Sequence, residues 1–119
     1  MAGFARGDLV TVPFPFIEQE AGGKVRPALV LAAFPADAPA PPAQQVLILC
    51  EITSHPPRDS YDIGFTSMDL ARGRLPHDST IRLSRVWTFS DQRVRGRVGA
   101  LGASKIAEVA TVMRSLFSL

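Results

Sequence analysis

Arg82, Arg85, Arg93, Arg95 and Arg97 fall within sixteen positions, with Asp91 the one acid among them. Eleven of the thirteen basic residues are arginine. Arginine presents a planar fork of donors that fits phosphate oxygens, whereas lysine is a hydrated point charge. Such a run fits a nucleic-acid partner. It fits solvated strand faces as well, and on charge alone that is the default reading. Upstream, Arg26 follows Gly22-Gly23-Lys24-Val25 and opens an apolar run. A guanidinium there can hold two phosphoryl oxygens at once. Thr53 closes a second apolar run and is followed by Ser54 and His55. Neither Arg nor Thr accepts a proton readily near pH 7. Proton exchange needs a further group, and His55, which follows Thr53-Ser54, is of a type that titrates near neutrality. Each residue has a plainer reading. Arg26 can pair with Glu18 or Glu20 on the surface, Thr53 can cap its strand, and His55 can be an ordinary loop residue.

The elements that must position these groups follow from periodicity. Asp8 to Phe16 alternates, with Val10, Val12, Phe14 and Phe16 on one side and Leu9, Thr11, Pro13 and Pro15 on the other. That is a strand with one face buried. Pro13 and Pro15 share parity, so that end of the strand lacks a partner on one side. Residues 17–25 read as a polar connection around Gly22-Gly23. Residues 27–34 and 46–50 are apolar without alternation, which predicts strands covered on both faces, by a helix or by another subunit. The Pro-rich stretch 35–43 joins them as an extended loop. Short strands are predicted near 61–65, at 80–83, at 86–90 and at 95–100, with a loop around Gly73 and Pro76. Gly102 precedes the one convincing helix, in which Ile106, Val109, Met113, Leu116 and Phe117 form a stripe and Ser104 can cap the start. The sum is a mainly β protein, a small antiparallel barrel with a C-terminal helix.

Length and composition set the frame. A chain of 119 residues with 46% hydrophobic and 20% charged residues is read as one domain spanning 1–119. Disorder and fibrous classes are excluded. One cysteine, Cys50, excludes a disulfide framework, and two separated histidines make a poor zinc set. No apolar run approaches the ~20 residues of a membrane span. The start carries no signal-peptide pattern, so the expectation is a cytoplasmic protein without metal or cofactor. The net charge of +2 is uneven. Residues 1–60 hold four basic and six acidic residues, and residues 61–119 hold nine basic and five acidic.

Several segments, read together, carry a resemblance. They are Arg6-Gly7-Asp8-Leu9-Val10-Thr11-Val12-Pro13-Phe14, then Gly22-Gly23-Lys24-Val25-Arg26-Pro27-Ala28-Leu29-Val30-Leu31, then Ile52-Thr53-Ser54. Asp78-Ser79-Thr80-Ile81-Arg82-Leu83, Val86-Trp87-Thr88-Phe89 and Gly99-Ala100-Leu101 follow in order. This order and spacing resembles the MazF/PemK toxin family over nearly the whole chain. The Pro13-Phe14-Pro15-Phe16 ending of the first strand resembles the PemK-like branch.

The resemblance implies an SH3-like barrel that forms a homodimer and cuts single-stranded RNA without metal. It also implies a toxin of a toxin–antitoxin pair, silenced by a cognate antitoxin. In that chemistry the RNA 2′-OH attacks the adjacent phosphorus, leaving a 2′,3′-cyclic phosphate and a 5′-OH, and needs a base, an acid and donors for the phosphorane. By resemblance Arg26 and Thr53 are catalytic. Glu18, Glu20, His55, Arg82 and Ser54 are the acid/base or supporting candidates. Gly22, Gly23, Lys24 and Arg85 contact RNA, with Phe16 and Trp87 as candidate stacking faces, although Trp87 reads first as barrel core or dimer interface. Some members carry an Asp two residues after the Arg that matches Arg82, and this chain has Ser84 there. Asp8 is read as structural, holding its turn through its side chain. Two other readings stand beside this one. The first is a protein-binding toxin of the gyrase-poisoning CcdB type on the same barrel. The second is an RNA-binding dimer whose catalysis has decayed.

Overall fold

The alternating first segment forms β1 (Asp8–Phe14), and the apolar runs form β2 (Lys24–Pro35) and β3 (Gln45–Thr53). β4 (Asp62–Phe65), β5 (Leu70–Gly73), β6 (Ser79–Ser90), β7 (Gly96–Leu101) and α1 (Ala103–Leu116) complete the order. The computed structural model describes residues 3–14, 24–36 and 44–118. All seven strands join one antiparallel sheet in the order β4-β6-β3-β2-β1-β7-β5, curled into a half-barrel.

The two apolar strands are indeed covered on both faces, and both covers come from the chain itself. One face of the sheet gathers Leu9, Leu29, Leu31, Cys50, Ile52, Ile81 and Leu83 under α1, whose Ile106, Val109, Val112 and Met113 pack onto them. The other face gathers Val10, Val12, Phe14, Ala28, Val30, Leu47, Leu49 and Phe89. Trp87 and Phe89 lie against Phe14 with ring centroids 5.0 and 5.7 Å away, and Phe4 also packs there. No second subunit is required to explain the missing alternation. Fully burying one such aliphatic side chain contributes about 1.5–3 kcal/mol.

Several sequence expectations are corrected. Residues 80–83 and 86–90 belong to one strand, β6, which Ser84 and Arg85 bend but do not end. The loop around Gly73 contains β5, which pairs with β7 and is mostly exposed, so no apolar pattern marks it. Lys24 and Val25 belong to β2 and not to the polar connection. Helix α1 starts one residue before Ser104, and Gly102 stands at its N-cap with no side-chain cap. The Gly102 N–H donates to the Asp69 carbonyl at 2.8 Å, a close approach that suits glycine. Phe117 sits past the last turn and is 62% exposed, outside the buried stripe.

Other expectations hold. β1 pairs with β2 as far as Phe14, but with β7 only as far as Thr11, so among the described residues no strand pairs with Pro13 on that side, while Pro15 lies outside the described residues. Asp8 Oδ2 accepts from the Ala5 N–H at 2.9 Å and holds the turn, with Arg72 and Arg97 each 3.6 Å from its carboxylate. Gly7 in that turn has φ of 96°, and a Cβ there would meet Ile106 at 2.7 Å. Proline-rich residues 37–43 lie outside the described residues. The strands they join, β2 and β3, are paired neighbours, with the Ala36 N–H donating to the Gln44 carbonyl.

Candidate functional site

Alternate residues of a strand share one face. On β3 the series Leu47, Leu49, Glu51, Thr53 runs along the face that also carries Val10 and Phe14. Its first two members are apolar and its last two are polar. Ala28 on β2 stands opposite Glu51, and Arg26 is two residues earlier on the same face. Arg82 on β6 stands opposite Glu51 from the other side. Three strands therefore converge on one polar cleft of about 220 Å³, lined by Arg26, Glu51, Thr53, Arg82 and Arg85, with His55 and Arg58 at its rim.

An irregularity in β6 brings Arg82 and Arg85 together. Residues three apart on a regular strand point to opposite faces. Here Cys50 pairs with Val86 while the next residue, Glu51, pairs with Arg82. Leu83, Ser84 and Arg85 are the surplus, and the Leu83 N–H turns instead to the Tyr61 carbonyl at 3.2 Å. The parity of β6 changes across this bulge. Ile81 and Leu83 stay under the helix, while Arg82 and Arg85 both line the cleft.

The side chains are held from behind. Arg82 Nε donates to Asp62 Oδ1 at 3.3 Å, with side chains 11% and 0% exposed. Asp62 Oδ2 accepts the Arg58 backbone N–H at 2.9 Å, so one carboxylate fixes both an arginine of the cleft and the loop that carries another. Thr53 Oγ1 accepts the His55 N–H at 3.2 Å, which leaves its own proton for a ligand. Buried Thr80 donates its hydroxyl to the His55 carbonyl at 2.6 Å and pins the segment that turns out of β3.

The sequence-based candidates are thus sorted. Arg26, Thr53, His55, Arg82 and Arg85 meet in one cleft. Ser54 does not join them and lines a neighbouring depression with Pro57, Asp78 and Ser79, where His55 forms the shared wall. Lys24 lies on β2 two residues before Arg26. Glu18, Glu20, Gly22, Gly23 and Phe16 lie outside the described residues. Trp87 is half-buried on Phe14 and belongs to the apolar cover. Ser84 is exposed, and the acid that pairs with Arg82 comes from β4.

Sequence reasoning missed Glu51, Arg58 and Asp62. Glu51 was legible in principle, because it continues the Leu47, Leu49 alternation toward Thr53. Next to it, burial above all pushes the Cys50 thiol well up, aided by the Glu51 charge and against a backbone hydrogen bond at Leu29. Cys50 is therefore a core residue and not a nucleophile. Among the described residues, no group of three or more His, Cys, Asp or Glu side chains is placed to hold a metal ion. No helix among them is long and apolar enough to cross a membrane.

The cleft can bind an anion with several guanidinium groups, offer it a hydroxyl proton, and set one buried carboxylate beside it. A family profile described as PemK-like, MazF-like toxin of type II toxin-antitoxin system matches residues 5–117. Among solved structures, an endoribonuclease in complex with its cognate antitoxin from a mycobacterial species is similar, with a TM-score of 0.71 at 9% identity. The match covers 98% of this chain and 97% of that one. The Mycobacterium tuberculosis toxin MazF-mt6 has a TM-score of 0.67 at 17% identity, covering 94% of this chain and 97% of that one. MazF from Deinococcus radiodurans has a TM-score of 0.66 at 20% identity, covering both chains fully. Comparison with curated protein sequences gives no match.

Proposed function

The chain belongs to the PemK-like, MazF-like toxins of type II toxin–antitoxin systems, and from that premise we propose that it is an endoribonuclease that cuts single-stranded RNA without metal. The observation that carries this reading is the meeting of Arg26, Thr53, Arg82 and Arg85 in one cleft, from three strands and across a bulge. RNA brings its own nucleophile, the 2′-OH, so the protein must chiefly hold the phosphate and neutralise the phosphorane. Arg26 and Arg82 grip the non-bridging oxygens, and Thr53 donates its hydroxyl to the same group. Arg85 and Arg58 extend the positive surface to flanking phosphates. His55 lines the same cleft and is the candidate acid for the leaving 5′-oxygen.

The protein acts in this reading as a single cytoplasmic domain, as a homodimer, and under a cognate antitoxin. Family membership supports all three, and one similar structure contains a toxin bound to its antitoxin. A monomeric mass by light scattering at micromolar concentration would remove the dimer.

The test of activity is incubation with a long single-stranded RNA in EDTA, beside Arg26→Ala, followed by mapping of the 5′ ends. Discrete cuts with 5′-OH ends that the variant loses are expected. A folded, partner-free protein that makes no cuts would refute the ribonuclease and turn attention to gyrase inhibition.

A further inference from the structure

We propose that Glu51 is the proton acceptor of this site, taking the proton of the attacking 2′-OH; the assignment rests on the ribonuclease reading above. Glu51 is 6% exposed, yet it sits in the floor of an otherwise cationic and neutral cleft. It is the one acidic side chain among the described residues that line it. Its position follows from strand geometry. It shares a face with Thr53 two residues on, and its cross-strand neighbours are Ala28, two residues from Arg26, and Arg82.

A buried carboxylate usually serves structure by pairing with a cation or a backbone N–H. Among the described residues Glu51 shows no such pairing. Arg82 takes its carboxylate from Asp62 on the far side, and none of the described residues is hydrogen-bonded or ion-paired to the Glu51 carboxylate. The groups around it are Arg26 from β2, Arg82 and Arg85 from β6, and His55 and Arg58 beyond the end of β3. Asp62 of β4 lies behind Arg82, and Cys50 is next to Glu51 on its own strand, facing the helix side. A negative charge in a phosphate cleft weakens phosphate binding, and accepting a proton in the reaction gives it a use there.

The step balances simply. The 2′-oxygen forms a bond to phosphorus as its proton passes to the Glu51 carboxylate. The bond from phosphorus to the 5′-oxygen breaks, and that oxygen takes a proton from water at the open mouth of the cleft. Glu51 returns its proton to solvent after release of the cyclic phosphate.

Glu51→Gln keeps the shape and removes the charge, and so separates the two roles. The substrate is a short RNA that carries the cleavage site mapped on long RNA, and the binding probe is the same RNA with a 2′-deoxy nucleotide at the cut. With protein in excess, Glu51→Gln should lose about 10²–10⁴-fold in cleavage rate. Its rate should lose the rise with pH at the acid end that the wild type is expected to show. Affinity for the 2′-deoxy probe should stay the same or tighten. Glu51→Asp should keep part of the rate and the acid limb. A Glu51→Gln rate close to wild type overturns the assignment while leaving the ribonuclease standing. Cleavage and binding lost together in either folded variant also overturn it, because that is the mark of a structural role. If Glu51→Gln does not fold, Glu51→Asp decides by the same split between rate and affinity. A wild type that cuts nothing removes the ribonuclease reading itself, and the assignment with it.

Discussion

One face of the sheet has two ends that differ in almost everything except their backbone. At one end β1, β2, β3 and β6 present Val10, Val30, Leu49 and Phe89, all buried. At the other, β2, β3 and β6 present Arg26, Glu51, Thr53 and Arg82. The boundary on β3 falls between Leu49 and Glu51, one alternation step. Burial of the first end supplies apolar stabilisation, and its rigidity carries forward along continuous strands into the second. A charged cleft that could not hold its own shape is held by strands whose other halves are core.

This contrast can be broken most forcefully at Asp62, which lies behind the charged end yet is buried. Asp62→Ala leaves the Arg82 guanidinium without its carboxylate, and removing one partner of a buried pair costs about 3–5 kcal/mol. Urea unfolding should show that loss, and an unchanged midpoint would mean the charged end contributes nothing to stability. Leu49→Ala should cost about 2–5 kcal/mol. Cleavage per folded molecule should persist, which sharpens the division between the two ends. Arg26→Ala should do the reverse, lowering the single-turnover rate about 10²–10³-fold, as for loss of a transition-state donor, with the unfolding midpoint nearly kept. Thr53→Val removes one hydroxyl and the acceptor of the His55 N–H. About tenfold in rate is expected, the equivalent of roughly one hydrogen bond, and Thr53→Ser should restore it. The smallest effect is expected at exposed Ser84. Ser84→Asp should change stability by less than about 0.5 kcal/mol and leave the mapped cut positions unaltered, because Asp62 already fills the acidic role beside Arg82.

Much of this was legible in the residues. Alternation gave β1, unbroken apolar runs gave β2 and β3, and the 3.6-residue stripe gave α1, because burial writes those periods directly. Arg26 and Thr53 are candidates because of the segments around them, and the fold brings both to one cleft. What stayed hidden depends on register. No local signal tells that Arg82 and Arg85 share a face, since that follows from how β6 is paired with β3 and not from β6 itself. Asp62 lies twenty residues from Arg82 in the chain, and only the pairing of β4 with β6 joins them. Glu51 was overlooked because, beside Cys50 and Ile52, it reads as the polar fringe of an ending strand. β5 is too short and too exposed to write a pattern.

The surplus residues Leu83, Ser84 and Arg85 give strand length a say in chemistry. Deleting one of the three would rephase β6 on one side of the bulge, turning a guanidinium out of the cleft or a leucine into it, while every other residue kept its identity. Comparing the sites of related chains position by position would miss such a change. Counting the residues between the Ile81 and Trp87 equivalents would find it.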